Sequence, residues 1–278
     1  MSLADDLREA RKTLETPARI LTFDIETARA IVEVFGLFGN DYIHMDRVKK
    51  PSRILCVSAR WLGEGEEDGL FFSAWDDADL DSYATMVEEI WKLLDAADLV
   101  ITWNGDRFDN QWIEAEAVRL GFGRPAPYKS VDLMKIQKRH LKAGIMSQKL
   151  QWSARYWLKD SKTPHGGRDL WDDIRYGSDA EKVAAQAVMK EYCEHDTKLT
   201  QDMLWTYLPY LKVNMALYRH DPDDEVLRCT GCGKSDELTL HDKPYYTGAY
   251  VYNQYRCGNC GSLSKGKRNI AGTELRSV

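Results

Sequence analysis

No run of eighteen apolar residues occurs in this chain, so nothing in its sequence asks to cross a membrane. A surplus of positive charge is missing as well: 38 Lys and Arg stand against 44 Asp and Glu, for a net charge of −6. That balance argues against a protein whose whole surface attracts nucleic acid. It leaves room for a local basic track, or for a site whose sign is inverted by bound metal ions. The acidic excess lies in the first 220 residues, because residues 221 to 278 hold eight acidic and eight basic side chains. There is no internal repeat and no low-complexity segment. The opening Met1-Ser2-Leu3-Ala4-Asp5-Asp6 is polar and acidic, unlike a secretory signal. These absences predict a cytoplasmic location. Residues 5 to 16 alternate in charge and read as a short solvated helix or a frayed tail. What remains is a 278-residue chain, 44% apolar and 29% charged, long enough for a full core and one small extra domain.

The run Ile20-Leu21-Thr22-Phe23-Asp24-Ile25-Glu26-Thr27 reads as a buried strand. Side chains alternate faces along a strand, so Phe23 and Ile25 point into the core while Asp24 and Glu26 share the other surface. Two carboxylates fixed side by side repel unless a cation sits between them, and hard oxygen ligands suit Mg²⁺ or Mn²⁺. The plainer alternative is an edge strand with two solvated acids. Asp98 to Trp103 predicts a second buried strand. It runs through Asn104-Gly105-Asp106-Arg107-Phe108-Asp109 into an amphipathic helix over Trp112 to Leu120. Asp109 then falls near a helix N-terminus, where free N–H groups and the dipole favour a carboxylate, whether as a cap or as part of a site. Ala180 to Tyr207 predicts one long helix, in which Tyr192 and Asp196 are four apart and share a face. His195 sits on a different face and reads as a bystander.

In order, Asp-x-Glu, Asn-Gly-x-x-Phe-Asp and Tyr-x-x-x-Asp resemble the three motifs of the DEDD superfamily of 3′–5′ exonucleases. The Tyr four before the last Asp resembles the Tyr-type branch, as in proofreading domains of family B DNA polymerases. The position five before Asp196 is Glu191, where the His-type branch would carry histidine. Pro51 to Gly63, Asp98 to Leu120, Ser130 to Leu133, Ser147 to Lys162 and Leu170-Trp171 are similar to stand-alone exonuclease-like proteins common in phage genomes, for which the host cytoplasm would be the location. The likeness extends over residues 19 to 265 and implies a metal-dependent nuclease cutting from a free 3′ end, with single-stranded DNA favoured as substrate and RNA the alternative. It implies two Mg²⁺ or Mn²⁺ ions, which suits phosphodiester chemistry because paired metals clamp the attacking and leaving oxygens. By resemblance, Asp24 bridges both ions, Glu26 and Asp196 complete the first, Asp109 supports the second, and Tyr192 orients the attacking water. Thr27, Asn104 and Phe108 become candidates for gripping the terminal nucleotide, although Phe108 also reads as core. Lys149 and Lys162 become candidate phosphate contacts, against the commoner reading of solvated lysines.

Toward the C-terminus lie Cys229-Thr-Gly-Cys232-Gly233 and Cys257-Gly-Asn-Cys260-Gly261, separated by 24 residues. Two such knuckles suit one tetrahedral zinc held by four thiolates. Disulfides or a redox pair are the competing readings. The strand-like stretches Glu237 to His241 and Ala249 to Arg256 would form the hairpin of a zinc ribbon. Tyr245, Tyr246, Tyr250, Tyr252 and Tyr255 crowd this segment, either to stack on unpaired bases or to cover a small core. The ribbon would contact the nucleic acid or a replication protein. Cys56 and Cys193 read as small core residues.

The strand and helix order is a strand at 19–27, an irregular insert at 28–52, strands at 53–61 and 69–75, a helix at 80–97, a strand at 98–103, a helix at 108–121, a strand at 128–132 and helices to about residue 208. Three early strands joined by short turns predict an antiparallel meander, and the later alternation predicts parallel additions. This is an α/β fold, the ribonuclease H-like mixed five-stranded sheet flanked by helices, plus a small C-terminal zinc ribbon. The domain reading is an N-terminal tail or helix at 1–18, the exonuclease domain at 19–218, a linker at 219–226, the ribbon at 227–265 and a tail at 266–278. The insert around Phe35 and Phe38 reads as a hairpin near the site or as packing. The Pro164 to Arg168 segment reads as a loop able to close over substrate. Two other functions share parts of the pattern: an RNase H-like endonuclease or resolvase, and an inactive adaptor for nucleic acid or polymerase.

Overall fold

A computed structural model describes residues 16–36, 38, 42–63, 69–141, 146–160, 168–219 and 225–275. The expected N-terminal helix or tail, most of the linker, the Pro164 to Gly167 loop and Lys162 lie outside the described residues. The chain separates into two compact units. Arg19–Asp132 and Ser161–Gln201 form one; Met1–Ala18, Leu133–Asp160 and Asp202–Val278 form the other.

The first unit is a mixed α/β layer structure. Its strands are β1 (Ile20–Ala28), the short pair β2 (Ile31–Val32) and β3 (Val48–Lys50), then β4 (Arg53–Trp61) and β5 (Leu70–Ser73). Helix α1 (Leu80–Ala96) leads to β6 (Leu99–Thr102), α2 (Asp109–Leu120) and β7 (Lys129–Asp132). The five-stranded sheet runs β5-β4-β1-β6-β7. β1 lies antiparallel to β4 and parallel to β6, and β6 lies parallel to β7. This is the expected meander followed by parallel additions. The parallel pairs need helical crossovers, which α1 and α2 supply.

Local sequence explains each helix. The Asp79 carboxylate accepts the Ser82 N–H at 2.9 Å and starts α1. Tyr83, Met86, Val87, Ile90 and Leu94 then recur at helical spacing, all buried. They pack on Leu21, Phe23 and Ile25 of β1, so the apolar side of that strand is fixed. The insert becomes the small β2–β3 pair, leaving Phe35 and Phe38 almost fully exposed rather than packed.

On the sheet's other face lie α5 (Arg168–Tyr176) and α6 (Asp179–Tyr207), numbered after the second unit's α3 (Leu133–His140) and α4 (Leu150–Trp157). Ser178 and Glu181 make a capping box: the Glu181 carboxylate accepts the Ser178 N–H at 2.7 Å, and Ser178 Oγ accepts the Glu181 N–H at 3.5 Å. The Trp171 indole N–H donates to the Thr27 carbonyl at 3.1 Å. Arg53 and Arg175 converge on Asp77. α5 is thereby tied to the ends of β1, β4 and the β5–α1 turn.

The second unit holds α3, α4, the end of α6 and a C-terminal sheet. Its strands are β8 (Leu238–Leu240), β9 (Tyr245–Tyr246), β10 (Tyr250–Cys257) and β11 (Leu263–Gly272). β10 pairs with β8, β9 and β11, all antiparallel. The expected tail from residue 266 is therefore strand as far as Gly272: cross-strand pairing with β10 overrides the weak strand propensity of Lys265-Gly266-Lys267-Arg268. Among the described residues, no helix is long and apolar enough to cross a membrane.

Candidate metal centres

Asp24 and Glu26 point away from Phe23 and Ile25, toward α6. That helix follows β1 and β4 through three contacts spaced four residues apart. The Cys193 thiol lies 3.7 Å from the Asp24 carbonyl, the Thr197 hydroxyl donates to the Ser58 carbonyl at 3.3 Å, and Gln201 Nε2 donates to the Trp61 carbonyl at 3.4 Å. A spacing of four keeps one helical face on the strands. That face carries polar side chains: Asp196, Thr197 and Thr200 are all buried. As a result Asp24, Glu26 and Asp196 converge, with one carboxylate oxygen of each within 4.8 Å of the others. At that spacing each pair of like charges repels by about 3 kcal/mol at an effective dielectric near 20. A divalent cation removes the repulsion, and an all-oxygen set is compatible with one. Tyr192 is buried one turn before Asp196, packed with Cys56, Ile174 and Met189. The hydrogen-bonded Cys56 thiol and then burial push the Cys193 thiol well up, so it stays a neutral core group, as expected of it.

Asp109 does not join the three. It opens α2, is 3% exposed, and its carboxylate accepts the Ile25 N–H at 3.1 Å. The reason is the length of β6, which pairs only with Ile20 to Thr22 of β1. Beyond Thr22 that edge of β1 has no partner strand among the described residues, and Asp109 takes the Ile25 donor, between Asp24 and Glu26. The turn that delivers it is tight. Asn104 sits in the left-handed region at φ 71°, and a Cβ on Gly105 would collide with the Thr102 side chain. The Asn104 N–H donates to the buried Asp132 carboxylate at 3.1 Å. Asp132 carries no role in the sequence, where its signal is Ser130-Val131-Asp132 at the end of a strand.

Burial pushes the Asp109 carboxyl up to about 7, the Asp132 charge adds to this, and the N–H donors oppose it. An unfolded carboxyl ionises near 4. Between about pH 4 and 7 the unfolded chain loses this proton and the folded one keeps it, so this group lowers stability progressively across that window and no further above it. Asp109→Asn keeps an acceptor for Ile25 without the titration. Its stability relative to the parent is expected to rise from pH 4.5 to 7.5 in metal-free urea melts, whereas Asp109→Ala is expected to cost about 1–3 kcal/mol for the orphaned N–H. A pH-independent difference between the Asn variant and the parent would show that Asp109 is ionised throughout.

The remaining candidates scatter. Thr27 is half-buried at the end of β1, its carbonyl taken by Trp171. Phe108 is 38% exposed and packs edge-on against Trp112 with centroids 6.3 Å apart. Lys149 belongs to the second unit, as the exposed N-cap residue of α4.

The four paired cysteines form a second cluster, all four Sγ within 4.8 Å. Cys229 and Cys260 lie 3.5 Å apart and Cys232 and Cys257 lie 3.7 Å apart. A disulfide needs about 2.05 Å. The edge of a tetrahedron of sulfurs about 2.3 Å from a central ion is about 3.8 Å. The knuckles fold alike: Gly233 and Gly261 sit at φ 79° and 74° and donate to the Cys229 and Cys257 carbonyls at 2.9 and 3.0 Å. The Gly231 N–H and the Asn259 amide point at the Cys229 and Cys232 sulfurs, each at 3.3 Å. The neighbouring thiols and N–H groups pull the Cys229 thiol down to about 4, while Cys229 and Cys232 push the Cys260 thiol up. The set can hold a metal ion.

Compared with known proteins, the chain matches no family model and no curated protein.

Proposed function

We propose that this chain is a metal-dependent 3′–5′ exonuclease of ribonuclease H-like fold, acting on single-stranded DNA, with a separate structural zinc in a C-terminal ribbon. The observation that carries the reading is the convergence of Asp24, Glu26 and Asp196 from two elements remote in sequence, with Tyr192 one turn away. Divalent ions bound there would supply Lewis acidity at the scissile phosphate and stabilise charge on the attacking and leaving oxygens. Asp24, Glu26 and Asp196 hold that charge in place. Tyr192 orients the attacking water through its hydroxyl. Asp109 fixes the main chain between Asp24 and Glu26 by its bond to Ile25, and so sets the aim of both carboxylates. The sulfur spacing of the second cluster supports zinc, since four thiolates close the shell and leave no open position.

Digestion of matched 3′- and 5′-labelled strands of DNA and RNA with Mg²⁺ or Mn²⁺ tests the reading. The 5′-labelled DNA should shorten in a ladder from the far end, and a circular strand should survive. Cleavage of the circle would favour the endonuclease alternative, which uses the same kind of carboxylate cluster. No product with either metal would favour the adaptor. Tyr192→Phe is expected to slow hydrolysis by about ten- to a thousandfold with metal affinity kept, because it removes only the hydroxyl from a packed ring. An unchanged rate would make Tyr192 a packing residue.

A further inference from the structure

The C-terminal sheet carries an aromatic and basic face that neither metal centre uses. Tyr250 and Tyr252 are two apart on β10 and so point the same way, with ring centroids 6.4 Å apart. Tyr245 on β9 stands directly opposite Tyr252. The Lys265 ammonium on β11 lies 4.2 Å from the Tyr252 ring centre and 5.7 Å from that of Tyr245. The rings do not form a core: Tyr245 and Tyr250 are 45% and 42% exposed, while Cys229, Cys232, Cys257 and Ala249 are buried. They are nonetheless held. A Cβ on Gly272 would come within 2.8 Å of the Tyr250 ring, so that ring rests on bare backbone. Charge is segregated here too. Between Asp242 and Glu274 the sequence holds Lys243, Arg256, Lys265, Lys267 and Arg268 and no acidic residue, in a chain whose net charge is −6.

We propose that this face binds an unpaired DNA strand, with bases stacked on Tyr245, Tyr250 and Tyr252 and phosphates held by Lys265 and its neighbours on β11. Ordered, half-exposed aromatic rings offer every base a stacking partner, and the surrounding cations match the backbone charge. A duplex hides the base faces, so only a single strand uses both features. The choice of DNA rests on the nuclease reading, whose substrate it is; the face would keep the strand attached while its 3′ end is shortened.

The test uses the full chain carrying Asp24→Asn, without added divalent ions. The probe is a fluorescent oligothymidylate about twenty nucleotides long, and anisotropy gives the affinity. Tyr252→Ala should weaken binding by about 5- to 150-fold, while Tyr252→Phe stays within about twofold of the parent. Lys265→Gln should weaken binding and reduce the slope of log affinity against log salt by about 0.7. Metal analysis of each variant shows whether the ribbon stays loaded. If Tyr252→Ala loses its metal, Tyr245→Ala and Lys265→Gln decide in its place. Parental affinity in loaded variants would overturn the proposal, as would equal affinity for a duplex of the same length. An oligouridylate bound more than tenfold tighter would overturn the assignment to DNA. Because nothing is cut in this assay, a negative result leaves the nuclease reading standing, and failed digestion of end-labelled strands leaves the binding result standing.

Discussion

Asp24→Ala is expected to lower strand cleavage by at least about 10³-fold while the fold survives. The magnitude follows from removing a group that holds several kcal/mol of charge stabilisation, at about 1.4 kcal/mol per tenfold in rate. The survival of the fold follows from where the side chain points. Phe23 and Ile25 carry the packing of β1 against α1 and α2, and Asp24 lies on the opposite face. Its carboxylate contributes repulsion toward Glu26 and Asp196 when no cation is present. Without metal, relief of that repulsion offsets the loss of the side chain's other contacts, and the variant should keep a cooperative melt near the parent's temperature. With Mn²⁺ the parent should gain stability by mass action and the variant should gain much less. The two readouts separate causes: a rate loss with a lowered metal-free melting point would mean misfolding. Near-normal cleavage at matched purity, or an undiminished Mn²⁺ shift, would remove Asp24 from the site.

Much of this was legible because it is periodic or local. Alternation along Ile20 to Thr27 divided core from carboxylates, and a spacing of four placed Tyr192 and Asp196 on one face of α6. The Cys-x-x-Cys-Gly pairs announced their cluster by spacing, since each knuckle closes within five residues. What was not legible depends on remote lengths and pairings. Asp109 turns to Ile25 because β6 stops pairing with β1 at Thr22, and no pattern inside Asn104 to Asp109 encodes that. Asp132 takes its role from a contact across 28 residues, the Asn104 N–H, which no local pattern marks. Lys265 to Arg268 reads as a tail because Gly and charged residues are poor strand formers, and only the β10 partner makes it a strand. The insert around Phe35 and Phe38 reads as a hairpin or as packing, and in the fold a short strand pair forms while both rings stand in solvent.

Removing the zinc proposed for the cysteine cluster is expected to unfold the C-terminal sheet. The sheet buries little apolar surface of its own: Cys229, Cys232, Cys257 and Ala249 are its buried apolar residues, and three of them are ligand candidates. A segment with so small a core depends on its staple. Zinc bound by four thiolates contributes about 10–16 kcal/mol at neutral pH in comparable small modules, more than the fold of such a segment requires. One zinc per chain should therefore be found in protein purified without chelator. Cys257→Ser removes one of the three buried sulfurs of the set. It should release the ion and open residues 225–275 to protease, while the unit built on β1 keeps its response to Mn²⁺. Acid should do the same reversibly, because the ligands must be thiolates and protons compete for them. The carboxylate cluster prefers harder ions and should not retain the zinc. Protein containing no zinc, or a Cys257→Ser variant whose C-terminal segment resists protease as the parent does, would show that the sulfurs assemble without a metal.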